Sequence, residues 1–326
     1  MALNLASNKN SNQGVKANPL LNFGREIYRN KALYSMIIPG AIVLLLFNYF
    51  PLFGILVAFK NFNFKDGILG SPWASPFFGN FEYLFTTNTS ALKVTFNTLF
   101  LNALFIIFGV LFQVGLALVF NEIKGKYFKK VTQSLMFLPH FISWIVVGII
   151  AYNLLNFDNG AINSFLTSIG KEKVDWYTSA NIWPIIIVLF NVWKATGYGM
   201  VIYLSTLSGI DTSYYEAAQI DGASKLQQIK AITIPLLMPT IITLVLLQIG
   251  RIMNADFGMF YSIVGDNAAL YPTVDVIDTF VFRSLRIDGD IGMASAAGFY
   301  QSVISFVIIM ICNKLSSKYN PEGALF

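Results

Sequence analysis

Long apolar runs separated by polar stretches make up most of this chain. Crossing roughly 30 Å of hydrocarbon takes about 20 mostly apolar residues in a helix. Six stretches qualify: 33–59, 94–120, 131–155, 182–207, 234–255 and 292–313. Hydrocarbon offers no water to open backbone groups, so the runs predict helices rather than strands. Pro39, Pro51, Pro139, Pro184, Pro235 and Pro239 lie in or at the edges of these runs, where each starts or kinks a helix. The pattern predicts an all-α membrane protein with six transmembrane helices. It has a tail over 1–32, a membrane domain over 33–314 and a second tail over 315–326. The first apolar run is too long for a signal-peptide core, so it is expected to stay as an uncleaved span. The Asn-rich tail before it has, over its first fifteen or so residues, the composition of a disordered segment.

Composition removes the soluble alternative. Hydrophobic residues make up 55% and charged residues 12% of the chain, against roughly 25% charged in a soluble domain. The net charge of +5 does not signal nucleic acid, because the basic residues flank apolar runs, where they set topology. Thirteen of the 22 Lys and Arg residues precede the first run, lie between the second and third, fall in 211–234 or follow the last run. Seven lie in the longer loops opposite, and Lys194 and Arg251 fall within runs. Positive residues stay inside, so both termini and the 211–234 segment are expected on the cytoplasmic side of a cytoplasmic membrane. The single Cys312 excludes an internal disulfide and the single His140 excludes a multi-histidine metal site.

The segment 211–234 is unusually polar for its place between two apolar runs. Asp211 or Ser213 can cap a short helix starting near Tyr214, with Glu216 in its first turn. Ala217 and Ala218 are small enough for close seating on a partner surface. Gly222 ends or bends this helix, and a second one runs from about Ser224 to Pro235. Two readings compete: a surface helix that merely joins two spans, and a coupling element that receives mechanical work. Which of the two holds turns on what the full spacing resembles. It reads E-A-A (Glu216, Ala217, Ala218), three residues including Asp221, Gly222, nine residues, then Ile232, Thr233, Ile234 and Pro235.

That pattern resembles the cytoplasmic coupling loop of permeases in binding-protein-dependent ABC importers. Further motifs carry the resemblance: WKATGYG over 193–199, LPHFISW over 138–144, DVIDT over 275–279, Pro39-Gly40, and NYFPLFG over 48–54. Together they are similar to the maltose-type sugar permeases, and within these to the LplB-like branch that imports complex oligosaccharides and polysaccharide fragments. The resemblance covers nearly the whole chain from Asn22. It implies the type I ABC importer permease fold, with Glu216, Ala217, Ala218, Asp221 and Gly222 in the coupling helix region. It also implies a second homologous permease, two cytoplasmic ATPase subunits carrying ATP and Mg, an extracytoplasmic solute-binding protein and alternating access. The chain has no G-x-x-x-x-G-K-(S/T) loop, so nucleotide hydrolysis is expected on another chain and no cofactor on this one.

Polar groups within apolar runs point to a transport path, because a charge stranded in lipid costs at least ~2.5–3.5 kcal/mol. Asn191, Lys194 and Tyr198 share one face of the fourth run. Gln248 and Arg251 share a face of the fifth with Asn254 nearby, and Gln301 lies in the sixth. Trp193 and Tyr198 offer flat apolar faces to sugar rings, while amide and charged groups suit hydroxyls, and Lys194 and Arg251 suit an anionic sugar. The competing readings are structural: Arg251 pairs with Asp256, and Lys194 satisfies a carbonyl between helices or snorkels to an interface. The small residues around Gly292–Gly298 suit close packing, His140 a kink and Cys312 an inert position. The long loops 60–93, 156–181 and 256–291 are either docking surface or solvated caps. An ion-coupled secondary transporter would need acidic residues inside the runs, which hold none. An intramembrane enzyme would need paired catalytic groups at one depth, which are also missing. A non-sugar solute stays open at this point.

Overall fold

The computed structural model describes residues 28–86 and 91–319. The expectations for the tails therefore fall, over 1–27 and 320–326, outside the described residues. The chain divides after Ile55 into two compact units. In the first, helix α1 (Lys31–Leu44) continues into a π turn, Leu45–Tyr49. That turn leads into a tighter 3-10 stretch, Phe50–Phe59, which crosses into the second unit.

The second unit holds the longer helices that follow: α2 (Gly79–Thr86), α3 (Ala91–Glu122), α4 (Lys126–Phe141), α5 (Trp144–Leu155) and α6 (Ala161–Ser168). They are followed by α7 (Trp183–Ser208), α8 (Ser213–Ile220) and α9 (Lys225–Ile249). The chain then forms α10 (Phe257–Val264), α11 (Ile277–Arg286) and α12 (Ile291–Tyr319). Among the described residues the one β pairing is an isolated antiparallel bridge between Lys60 and Trp73.

Two prolines leave the same local signature. The π turn Leu45–Tyr49 sits two residues before Pro51, and a second, Ile229–Thr233, sits two residues before Pro235. Phe50 N–H reaches back to the Leu45 carbonyl and Ile234 N–H to the Ile229 carbonyl, each one residue further than in an α-helix. A proline lacks the donor for the carbonyl four residues back and its ring crowds that carbonyl, and the wider turn accommodates both defects.

Among the described residues five helices are long and apolar enough to cross a membrane, and the expected third span is a bent pair. Helices α4 and α5 meet at 96° instead of forming one kinked span over 131–155. Pro139 weakens the last turn of α4, and Ile142 and Ser143 then adopt extended backbone. Ser143 restarts the helix, its side chain accepting from Val146 N–H. Helix α12, the expected sixth span, also runs past the expected edge at 313 to Tyr319.

Helix α7 is the most buried of the candidate spans among the described residues. It packs along α3, and its buried Trp183 and Ile187 join Leu101, Val147 and Phe260 in one core cluster. Met200, Tyr203 and Leu204, further along α7, join Ala117, Phe120 and Leu237 in another. Gly197 is required by this packing, because a Cβ there would lie 1.8 Å from the Met136 carbonyl oxygen of α4. The small residues at the start of α12 serve packing too: Ala294, Ala296 and Ala297 are buried, and a Cβ at Gly292 would meet the Asn80 side chain.

Candidate functional site

The segment after α7 is shaped by its own residues. Asp211 Oδ1 accepts from Ser213 N–H at 2.9 Å, ordering the chain into α8. That backbone donor favours the charged carboxylate and holds its pKa below the ordinary aspartate value. Glu216 lies in the first turn, where a carboxylate suits the helix N-terminus. At the other end Gly222 takes φ 77°, Gly222 N–H donates to the Gln219 carbonyl, and Ala223 N–H donates to the Ala218 carbonyl. This paired closure satisfies the last carbonyls of α8 and needs a left-handed residue at that point. Gln227 Oε1 then accepts from Ser224 N–H at 2.7 Å, opening α9.

Two further contacts tie this hairpin to the membrane helices. Tyr215 Oη and Thr233 Oγ1 hydrogen-bond at 3.1 Å, joining α8 to the π turn at the base of α9. Lys225 Nζ lies 3.2 Å from Glu122 Oε2 at the end of α3, an exposed pair that adds little energy. Glu216, Ala217, Asp221 and Gly222 are exposed, and Ala218 is half-buried. Tyr214, Ile220 and Leu226 also turn apolar side chains outward, with Ile220 87% exposed. The expected helix–glycine–helix arrangement is present, and its surface is open.

The second feature is a cavity of about 700 Å³ walled by α3, α7, α9 and the linker that follows α9. Five of the eight path residues expected from sequence line it: Asn191, Tyr198, Gln248, Arg251 and Asn254. Arg251 lies in a turn beyond the end of α9 rather than within a span. Among the described residues no ion pair joins it to Asp256. The carboxylate of Asp256 is otherwise engaged: Oδ2 accepts from Trp144 Nε1 at 2.5 Å and Oδ1 from Met259 N–H.

Three expected path residues are placed differently. Trp193 is turned away from the cavity and lines apolar clefts with Leu189 and Leu104. Its phase on α7 differs from that of Asn191 and Tyr198. Lys194 donates to the carbonyls of His140 at 2.6 Å and Pro139 at 3.4 Å, the open end of α4, and lies over the Trp144 ring. Lys194 therefore ties off the elbow between α4 and α5, as the carbonyl reading anticipated. Gln301 donates to the Met253 carbonyl and to Asn254 Oδ1, behind the cavity wall rather than on it.

Sequence reasoning missed other wall groups. Asn102 and Gln113 of α3 line the cavity, as do Asp256 and His140, which stacks on Tyr198 at 4.5 Å between ring centroids. Asn102 and Gln113 lie in the apolar middle of α3, and the signal available was their polarity alone. A Cβ at Gly199 would meet the end of the Gln113 side chain.

Residues 106–319 match the family model described as the binding-protein-dependent transport system inner membrane component. The chain belongs to this family. It is 34% identical over 298 residues to the polygalacturonan/rhamnogalacturonan transport system permease protein YteP of Bacillus subtilis (strain 168), covering 91% of each chain. Protein LplB of the same organism is 32% identical over 297 residues, with 90% of this chain and 91% of that one covered. A crystal structure of a bacterial ABC transporter involved in import of the acidic polysaccharide alginate superposes with a TM-score of 0.82 at 32% identity. That match covers 92% of this chain and 99% of the other. The alginate transporter in complex with its alginate pentasaccharide-bound periplasmic protein gives a TM-score of 0.80, also at 32% identity, covering 90% and 97%. The permease therefore has the fold of an ABC importer membrane subunit and is a multi-pass membrane protein.

Proposed function

We propose that this permease imports acidic oligosaccharides or polysaccharide fragments as one membrane subunit of an ATP-driven importer. The observation that carries this reading is the composition of the cavity wall. Asn191, Gln248, Asn254, Asn102 and Gln113 supply amide donors and acceptors, and Tyr198 with His140 supplies a stacked aromatic surface. Sugar recognition needs that mixture of flat faces and hydrogen-bonding groups. Arg251 is the one Lys or Arg among the lining residues, and a guanidinium pairs bidentately with a carboxylate. The polygalacturonan and alginate handled by the similar proteins carry such carboxylates, which supports an acidic cargo here.

Membership of the family supports a reading of the rest of the machine. A second homologous permease completes the path, and an extracytoplasmic solute-binding protein delivers the sugar to the outer loops. Two cytoplasmic ATPase subunits bind ATP and Mg, and their closure pushes on α8 through the exposed surface around Glu216, Ala217, Ala218, Asp221 and Gly222. Both termini lie in the cytoplasm, and lipid covers the outward apolar faces. The bundle alternates between outward and inward access. The test is ATP-dependent uptake in proteoliposomes holding the full importer and its binding protein, with tetragalacturonate and maltotetraose as probes. Uptake of the acidic probe well above the neutral one supports the reading. Equal or absent uptake of the acidic probe overturns the acidic cargo.

A further inference from the structure

The linker between α9 and α10, residues 251–256, presents Arg251, Asn254 and Asp256 to the cavity. It is built of turns rather than helix. Such a segment has no internal ladder to hold three side chains in place, and ordering it costs conformational entropy. Asn102 Nδ2 donates to the Ile252 carbonyl at 2.9 Å from within the wall, and further restraint comes from two residues that do not line the cavity. Ala255 N–H donates to Asp278 Oδ2 at 2.8 Å. Gln301 Nε2 donates to the Met253 carbonyl at 2.7 Å, to Asn254 Oδ1 at 3.1 Å and to Asp278 Oδ2 at 3.2 Å. Met253 and Ala255 are buried beneath, on either side of Asn254, which lines the cavity.

Asp278 itself rests on a fixed support. Ile277 N–H donates to Thr98 Oγ1 and Asn97 Nδ2 to the Asp275 carbonyl, pinning the start of α11 to α3. Arg283 closes that helix back on Asp275 in a two-pronged ion pair. Burial raises the pKa of Asp278, and the donors from Ala255 and Gln301 oppose that shift.

We infer that Asp278 and Gln301 are positioning residues that clamp the 251–256 linker and so set where Arg251 and Asn254 stand in the cavity wall. The inference rests on the reading of this cavity as the substrate path. It also makes α11, α12 and the wall one hydrogen-bonded unit, so a shift of α11 against α12 moves the groups that meet the cargo.

The test reads position directly and needs no substrate. In the full importer in native membranes, with Cys312→Ser as background, a single cysteine is placed on the linker (Arg251→Cys) or on α7 (Ala195→Cys). Its labelling rate with a maleimide is then measured. Asp278→Ala is expected to change the rate at 251 about fivefold or more, leave the rate at 195 within about twofold, and be reversed by the acceptor-retaining Asp278→Asn. An unchanged rate at 251, or equal changes at both positions, overturns the clamp. If Asp278→Ala does not accumulate in membranes, Gln301→Ala withdraws the second half of the clamp and is judged by the same two rates. Failure of tetragalacturonate uptake bears on the cargo alone, and failure of this labelling pattern on the clamp alone.

Discussion

The proposed coupling segment and the cavity linker are both polar interruptions of an apolar chain, and they are held in opposite ways. In 211–228 most of the fixing bonds are local, from Asp211 to Ser213, Ala218 to Ala223, Ser224 to Gln227 and Ala223 to Gln228. The 251–256 linker is fixed by Asn102, Trp144, Asp278 and Gln301, from 23 to 150 residues away. A locally fixed hairpin keeps its shape while its surroundings move, which suits a lever. A linker fixed by four distant elements changes as those elements shift, which suits a wall that must release what it holds.

Breaking the lever should have the largest effect. Gly222→Pro replaces a residue at φ 77° with one locked near −65° and removes the donor to Gln219. Glu216→Lys inverts the charge at the exposed N-terminal turn of α8. Each is expected to abolish uptake and stimulated ATPase activity in proteoliposomes while the chain still inserts in membranes. Normal uptake in both would break the comparison at its first term.

The wall should respond in a cargo-dependent way. Arg251→Ala removes a charge-assisted contact of roughly 1.5–3 kcal/mol, so uptake efficiency for tetragalacturonate should fall about 10- to 100-fold. Uptake of a neutral probe should change far less. Equal losses for both would assign Arg251 to structure.

The elbow should respond in stability. Lys194→Ala removes the donor to the His140 carbonyl, at about 1–3 kcal/mol, while the Pro139 carbonyl keeps its bond from Ile142 N–H. The expected result is a lower melting temperature of the purified complex with little change in substrate preference. The smallest effect is expected for Trp193→Ala, which should leave uptake within about twofold because its ring lies outside the cavity. A larger loss there would return Trp193 to the path.

The same contrast explains what could be read from the residues in advance. The six apolar runs, the helix–Gly222–helix hairpin and the start of α9 near Ser224 were legible because each depends on neighbours within a few positions. The bend in the third span was not: Pro139 announced a kink, but Ser143 restarting a helix at 96° depends on how α5 packs. Asn191, Tyr198, Gln248, Arg251 and Asn254 were recognisable as polar groups in apolar surroundings. Lys194 and Gln301 shared that signal and serve backbone carbonyls instead, a distinction made only by partners 48 to 55 residues away. Trp193 differs from its neighbours by helical phase, which a list of aromatic residues does not convey.

The most direct measurement is affinity purification of the tagged chain from native membranes, wild-type and Glu216→Lys in parallel, with mass spectrometry of what accompanies each. The account predicts a second permease and an ATPase subunit with the wild-type chain, and loss of the ATPase alone with Glu216→Lys. Recovery of the wild-type chain with no ATPase after gentle extraction would contradict the coupling role of α8 and return an ion-coupled mechanism to consideration.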